Sequence, residues 1–143
     1  MRELNVIFFF FLIFLFACSG SDKKKSNKEN LGVEITASDM EKGGQLYRAK
    51  CMNCHLKTGK GIPKVFPPLA NSDYLRKNTD EAIKMVKFGS NKPIKVNGIK
   101  YNSLMPASGL TDKELVLVFN YILNSWENNY GQVSLEEVAA IKR

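Results

Sequence analysis

The chain has one histidine, three cysteines and one tryptophan in 143 residues. With His55 alone, no centre can be built on two imidazoles. No apolar run reaches the ~20 residues that a membrane-spanning helix needs. The longest, Val6 to Ala17 ("VIFFFFLIFLFA"), has twelve. No segment repeats, and "CMNCH" at 51–55 occurs once, which argues against a multi-site array. The length suits one compact domain rather than two, and 44% hydrophobic content gives that domain a core.

The twelve apolar residues follow a short start containing Arg2 and fit the hydrophobic region of a secretory signal. They run into Leu15-Phe16-Ala17-Cys18, which resembles the lipobox of bacterial lipoproteins, where cleavage precedes a cysteine that carries diacylglycerol. A lipid on Cys18 would account for the odd cysteine of an exported chain. Several acyl chains, at about 0.8 kcal/mol per buried methylene, would hold it on a membrane. Residues 19–30 ("SGSDKKKSNKEN") contain nothing hydrophobic and read as a solvated tether. The expected organisation is a lipoprotein signal peptide over 1–17, a lipidated Cys18 and tether over 18–37, and a folded domain over 38–143. The expected location is the periplasmic side of a bacterial membrane.

Three chemistries compete for Cys51, Cys54 and His55. Structural zinc takes four ligands from Cys, His or carboxylates, and with Cys18 committed to lipid no other Cys or His remains. A thioredoxin-like pair needs its C-x-x-C in a βαβ setting, whereas the surroundings here read as helix on one side and loop on the other. Covalent haem attachment has C-x-x-C-H as its signal. Two thiols three residues apart reach the two vinyl groups on one porphyrin edge, and the adjacent histidine then lies under the ring. The cofactor expected is therefore one haem c, covalently bound.

A second axial ligand would turn an open haem into an electron carrier. With no further histidine, methionine is the donor to look for. Met52 lies inside the attachment motif, and Met40 falls at helical spacing with Gly43, Gly44, Tyr47 and Cys51, as a core residue would. Met85 sits in "DEAIKMVKFG" and reads equally as core or ligand. Met105 differs, because "YNSLMPASG" is a loop in which Pro106 stops regular structure, and loops carry function.

Over about residues 38–130 the sequence resembles the class I c-type cytochromes, through "GGQLYRAKCMNCH", "FPPLANSDYL", "VNGIKYNSLMP" and "LTDKELVLVFNYILNSW". The resemblance implies a mostly α fold around one covalent haem and His55/Met105 ligation of the iron. It also implies a crossing of first and last helices at Gly43 and Tyr47 against Val118 and Tyr121. A proline carbonyl in that family accepts a hydrogen bond from the ligating imidazole; Pro67 fits by its offset to Leu69, with Pro68 the alternative. The residues themselves suggest capping boxes at Ser38/Glu41 and Thr111/Glu114, and a middle helix from Asn78/Glu81 to Gly89. A β-hairpin is expected near 94–101 around Asn97-Gly98. The last long helix would align Leu115, Val118, Phe119, Ile122 and Trp126, and a small helix would follow Ser134.

Electron transfer, with no reaction of its own, is the function these features imply. The alternatives are a haem subunit of a larger oxidase, nitrite reductase or dehydrogenase, and a five-coordinate sensor or peroxidase-like protein. The latter wants a polar distal group, and no second histidine exists to serve. Charge is uneven: residues 56–100 hold ten Lys or Arg against three Asp or Glu, and residues 101–143 three against five. The basic stretch predicts docking of redox proteins with acidic surfaces through Lys57, Lys60 and Lys64. Membrane contact is expected through the lipid, and no nucleic-acid partner is expected.

Overall fold

The computed structural model describes residues 34–143. The expected signal segment, Cys18 and the tether as far as residue 33 lie outside the described residues. Residues 34–143 are mostly helical with one small antiparallel sheet, as expected. Helix α1 spans Ala37–Lys50 and α2 spans Met52–His55. Helices α3 (Asp73–Lys77) and α4 (Thr79–Phe88) come next, then strands β1 (Ile94–Val96) and β2 (Ile99–Tyr101). Helices α5 (Asp112–Leu123) and α6 (Leu135–Ala140) complete the chain.

Helix α1 starts two residues earlier than the Ser38/Glu41 box implies. Thr36 caps it, accepting from the Asp39 amide at 3.2 Å while its own amide donates to the Asp39 carboxylate at 3.2 Å. Both tetrads satisfy the capping pattern. The earlier one gives the Thr36 and Asp39 amides their partners and adds two residues to the helix, so it prevails. Thr111/Glu114 caps α5 as expected, and Ser134/Glu137 forms a third box that starts α6.

Helices α1 and α5 cross where Gly43 lies against the Leu117 carbonyl, and a Cβ on Gly43 would come within 2.8 Å of Tyr121 Cβ. Tyr121 therefore sits where the resemblance put it, and the Leu117 backbone lies against Gly43 as well. Val118 is fully buried in the core. Trp126 is not on the helix either. Asn124 ends α5, its side chain donating to the carbonyls of Asn120 (3.0 Å) and Gly131 (2.9 Å). Trp126 follows in a turn with φ 53°. Its ring packs against Tyr47 at 4.9 Å and Tyr121 at 5.8 Å.

Helix α3 has no counterpart in the sequence reading. Buried Ser72 caps it, accepting from the Leu75 amide at 3.1 Å. Asn78, expected to cap α4, gives no such bond and donates instead to the Tyr74 carbonyl at 3.1 Å. It closes the helix before rather than opening the one after. Gly89 ends α4 as expected.

The hairpin pairs Ile94 with Tyr101 and Val96 with Ile99 around Asn97 and Gly98, whose φ of 49° and 82° match the turn this dipeptide favours. Its tip is tied to α3: the Asn97 amide donates to the Asp73 carboxylate at 2.6 Å, and the Asp73 amide to the Asn97 side chain at 3.0 Å. The core joins Tyr47, Leu75, Ile83, Leu115, Phe119, Ile122 and Val138.

Candidate functional site

Between the end of α1, the 65–69 loop, α4, the hairpin, the 103–108 segment and α5 lies a cavity of about 250 Å³. Cys51, Cys54, His55, Pro67 and Met105 all face it, so the residues singled out by sequence come together in one place. Most of the remaining wall is apolar, including Leu75, Ala82, Val86, Val96, Phe119 and Ile122.

Cys51 is the junction of α1 and α2, and Cys54 stands one turn later in α2. Neither is in a disulfide. Burial pushes the Cys51 thiol up to about 11, so it is protonated at neutral pH. After His55 the chain turns sharply: Leu56 has φ 63°, and its carbonyl accepts a 2.7 Å bond from the Tyr47 hydroxyl. The buried helix-crossing tyrosine thus also pins the end of the attachment motif.

His55 is buried, and its Nδ1–H donates to the Pro67 carbonyl at 2.9 Å. A carbonyl only accepts, so the proton sits on Nδ1 and the Nε2 lone pair is left free for a metal. Burial lowers the imidazole pKa below its ordinary value, and the Pro67 bond opposes that in part. Pro68 faces the same cavity but is not the partner of His55. The sequence reading missed Gly61, which makes this approach possible: a Cβ there would come within 2.6 Å of the Pro67 carbonyl oxygen. "GKGIP" carries the signal, a glycine before a proline loop, but without coordinates it reads as an ordinary turn.

Among the methionines, Met85 on α4 and Met105 both face the cavity, whereas Met40 and Met52 do not. Met105 is fixed by a two-bond bridge: its amide donates to the Ser90 carbonyl and the Ser90 amide to its carbonyl, each at 2.9 Å. Lys57, Lys60 and Lys64 are exposed but do not line the cavity. Lys50 and Lys92 do, together with Val65 and Leu104 (43% and 70% exposed), and sequence reading had singled out none of the four.

Among the described residues no cluster of three or more His, Cys, Asp or Glu is placed to hold a metal ion, which weighs against closed zinc. Nor is there a βαβ unit around the two thiols. Two thiols one turn apart, an imidazole with a free Nε2 and a thioether, on the wall of an apolar cavity, fit a covalently attached haem. The Cytochrome c family matches residues 40–126, more than half of the chain. The chain belongs to the cytochrome c family, a family of electron-transfer proteins rather than enzymes that binds haem c covalently.

Cytochrome c-552 of Thermus thermophilus is 37% identical over 100 residues, covering 66% of this chain and 65% of the relative. Cytochrome c6 of Gracilaria tenuistipitata var. liui is 31% identical over 103 residues, covering 68% of this chain and 84% of its own. The alcohol dehydrogenase (quinone) cytochrome c subunit of Gluconobacter oxydans is 30% identical over 126 residues. That match takes in 80% of this chain and 26% of the subunit. The chain thus spans just under two thirds of the first of these relatives and about a quarter of the third.

Proposed function

We propose that this chain is a monohaem electron carrier working outside the cytoplasm, anchored by a lipid on Cys18 to the periplasmic side of a bacterial membrane. Haem supplies a one-electron couple when bound, and the protein supplies everything that tunes it. Cys51 and Cys54 would hold the ring by thioethers, and Nε2 of His55 and the sulfur of Met105 would bind its iron. Pro67 fixes the imidazole tautomer and orientation, a second layer of contact that also raises ligand basicity. Methionine ligation sets a higher potential than a more basic ligand, and the apolar wall excludes water. The observation that carries the reading is the 2.9 Å His55–Pro67 bond at the cavity that Met105 also lines.

The test is the absorption of the oxidised protein, which should show the weak near-red band of methionine sulfur on ferric haem. Loss of that band in Met85→Ala but not in Met105→Ala would transfer the ligand role to Met85.

Lys57, Lys60 and Lys64 remain the docking lysines of the proposal, and the apolar mouth at Val65 and Leu104, edged by Lys50 and Lys92, adds to the contact face. A partner with acidic side chains around an apolar patch suits this arrangement. Similarity to the alcohol dehydrogenase (quinone) cytochrome c subunit and to the fructose dehydrogenase cytochrome subunit of Gluconobacter japonicus favours a second reading, a haem subunit held permanently in a larger complex. Co-purification of one enzyme in fixed ratio would select it.

A further inference from the structure

The segment that carries Met105 rests on the last turn of α4. Besides the Ser90–Met105 bridge, the Ser108 amide donates to the Val86 carbonyl at 2.9 Å. Three backbone bonds thus seat the 105–108 segment on residues 86–90, and the segment's other anchor is the Met105 side chain, which packs against the core. The segment has no helix or ladder of its own, Leu104 is 70% exposed, and Pro106 and Ala107 are exposed. How firmly Met105 is presented therefore depends on how firmly the end of α4 is held.

That end is gripped from the other side. The Lys87 ammonium lies 2.7 Å from the Asp112 carboxylate at the start of α5 and donates at 3.1 Å to the Val138 carbonyl of α6. The Lys87 side chain is 17% exposed, so water screens this grip less than it does an open surface pair. Arg143 lies over the Phe88 ring at 5.9 Å, a second link from the C-terminal segment to the same turn. The anchor on the far side is itself rigid. Val138 is fully buried, and the preceding strap is locked by a reciprocal pair, the Asn120 side chain donating to the Val133 carbonyl (3.0 Å) and accepting from its amide (2.8 Å). Helix α6 lies beyond residue 126, where the family match ends.

We propose that Lys87 is a positioning residue: by clamping the last turn of α4 to Asp112 and to the C-terminal helix, it keeps the Met105 segment closed over the haem cavity. This rests on the reading of Met105 as an iron ligand. An added ligand such as imidazole displaces Met105 only when that segment opens, so its apparent affinity scales with the open fraction. Weakening the clamp raises that fraction without removing any group that touches the cavity.

The experiment titrates imidazole into oxidised holoprotein, following loss of the near-red band, in wild type and in Lys87→Met, Asp112→Asn and Lys95→Met. Lys95 is an exposed hairpin lysine and serves as the charge control. Lys87→Met and Asp112→Asn should tighten imidazole binding about five- to tenfold, and Lys95→Met should leave it unchanged. Equal affinity in Lys87→Met and wild type, even with a lower unfolding midpoint, would overturn the proposal, because the lysine would then be only structural. An equal gain in Lys95→Met would overturn it too, as a non-specific effect of charge. If Lys87→Met does not fold, Asp112→Asn decides by the same two outcomes. A wild type with no near-red band would sink the ligand assignment and the clamp with it, whereas a normal band with unresponsive variants sinks the clamp alone.

Discussion

His55, Pro67 and Met105 show how single residues divide the work at this site. The imidazole is oriented by a backbone carbonyl, which no side-chain substitution at residue 67 removes directly, while the thioether depends wholly on one side chain. Met105→Ala should therefore abolish the near-red band, admit carbon monoxide in the reduced state and lower the potential, since the open position then takes water or a small ligand. Met85→Ala should keep the band; a lost band there, measured on the same sample series, would contradict the assignment. Sequence was highly informative at this scale. C-x-x-C-H names chemistry through residue type, Met105 faces the cavity, and the 2.9 Å bond of His55 selects Pro67 over Pro68. Gly61 was not legible, because its role is the absence of a side chain beside a carbonyl twelve residues from the histidine, a distance fixed only by the folded loop.

The elements carry a different kind of information. The crossing of α1 and α5 depends on backbone approach at Gly43, so Gly43→Ala, whose Cβ would press on Tyr121, should cost about 2–3 kcal/mol by overpacking. Urea unfolding of the holoprotein measures it, and a cost below about 0.5 kcal/mol would mean the helices separate freely. The three capping boxes lend the helices a pH dependence. Hydrogen bonds from Thr36 and Thr111 hold the carboxyls of Asp39 and Glu114 below their ordinary values. A carboxylate lowered by folding contributes stability above its unfolded pKa and loses it as pH falls through the folded one. The urea midpoint should accordingly fall on acidification below about pH 4.5, and less so in Thr36→Ala and Thr111→Ala, each already weaker by about 1 kcal/mol at neutral pH. An undiminished acid response in both variants would assign it elsewhere. Helices with strong periodicity and the Asn97-Gly98 turn could be read directly. Helix α3 could not, since five residues give too few turns for a pattern. The start of α1 was misread because two overlapping tetrads offer the same capping chemistry, and the end of α5 because Trp126 continues the apolar spacing after Asn124 has already turned the chain.

At the scale of the whole molecule, positive charge is concentrated in residues 56–100, where ten Lys or Arg face three Asp or Glu. Fields from such a stretch act over about 8–10 Å at physiological ionic strength and speed encounter more than they tighten contact. Electron delivery to an acidic partner should slow steeply as salt rises, and Lys57→Glu, Lys60→Glu or Lys64→Glu should slow it further at low salt. Leu104→Ser should slow it at every salt concentration, because it alters the apolar contact and not the field. Stopped-flow rates across a salt series separate the two, and rates indifferent to salt would favour the permanently bound subunit. Intact mass tests the anchor: a mature chain beginning at acylated Cys18 is expected, and an unprocessed N-terminus would defeat that part of the proposal.

What most needs testing is a covalent haem bound through His55 and Met105. The near-red absorption spectrum of the oxidised, acid–acetone-resistant holoprotein tests it most directly. A weak sulfur-to-iron band at neutral pH is the predicted result. A spectrum lacking that band, from a protein whose reduced form binds carbon monoxide without any mutation, would contradict it.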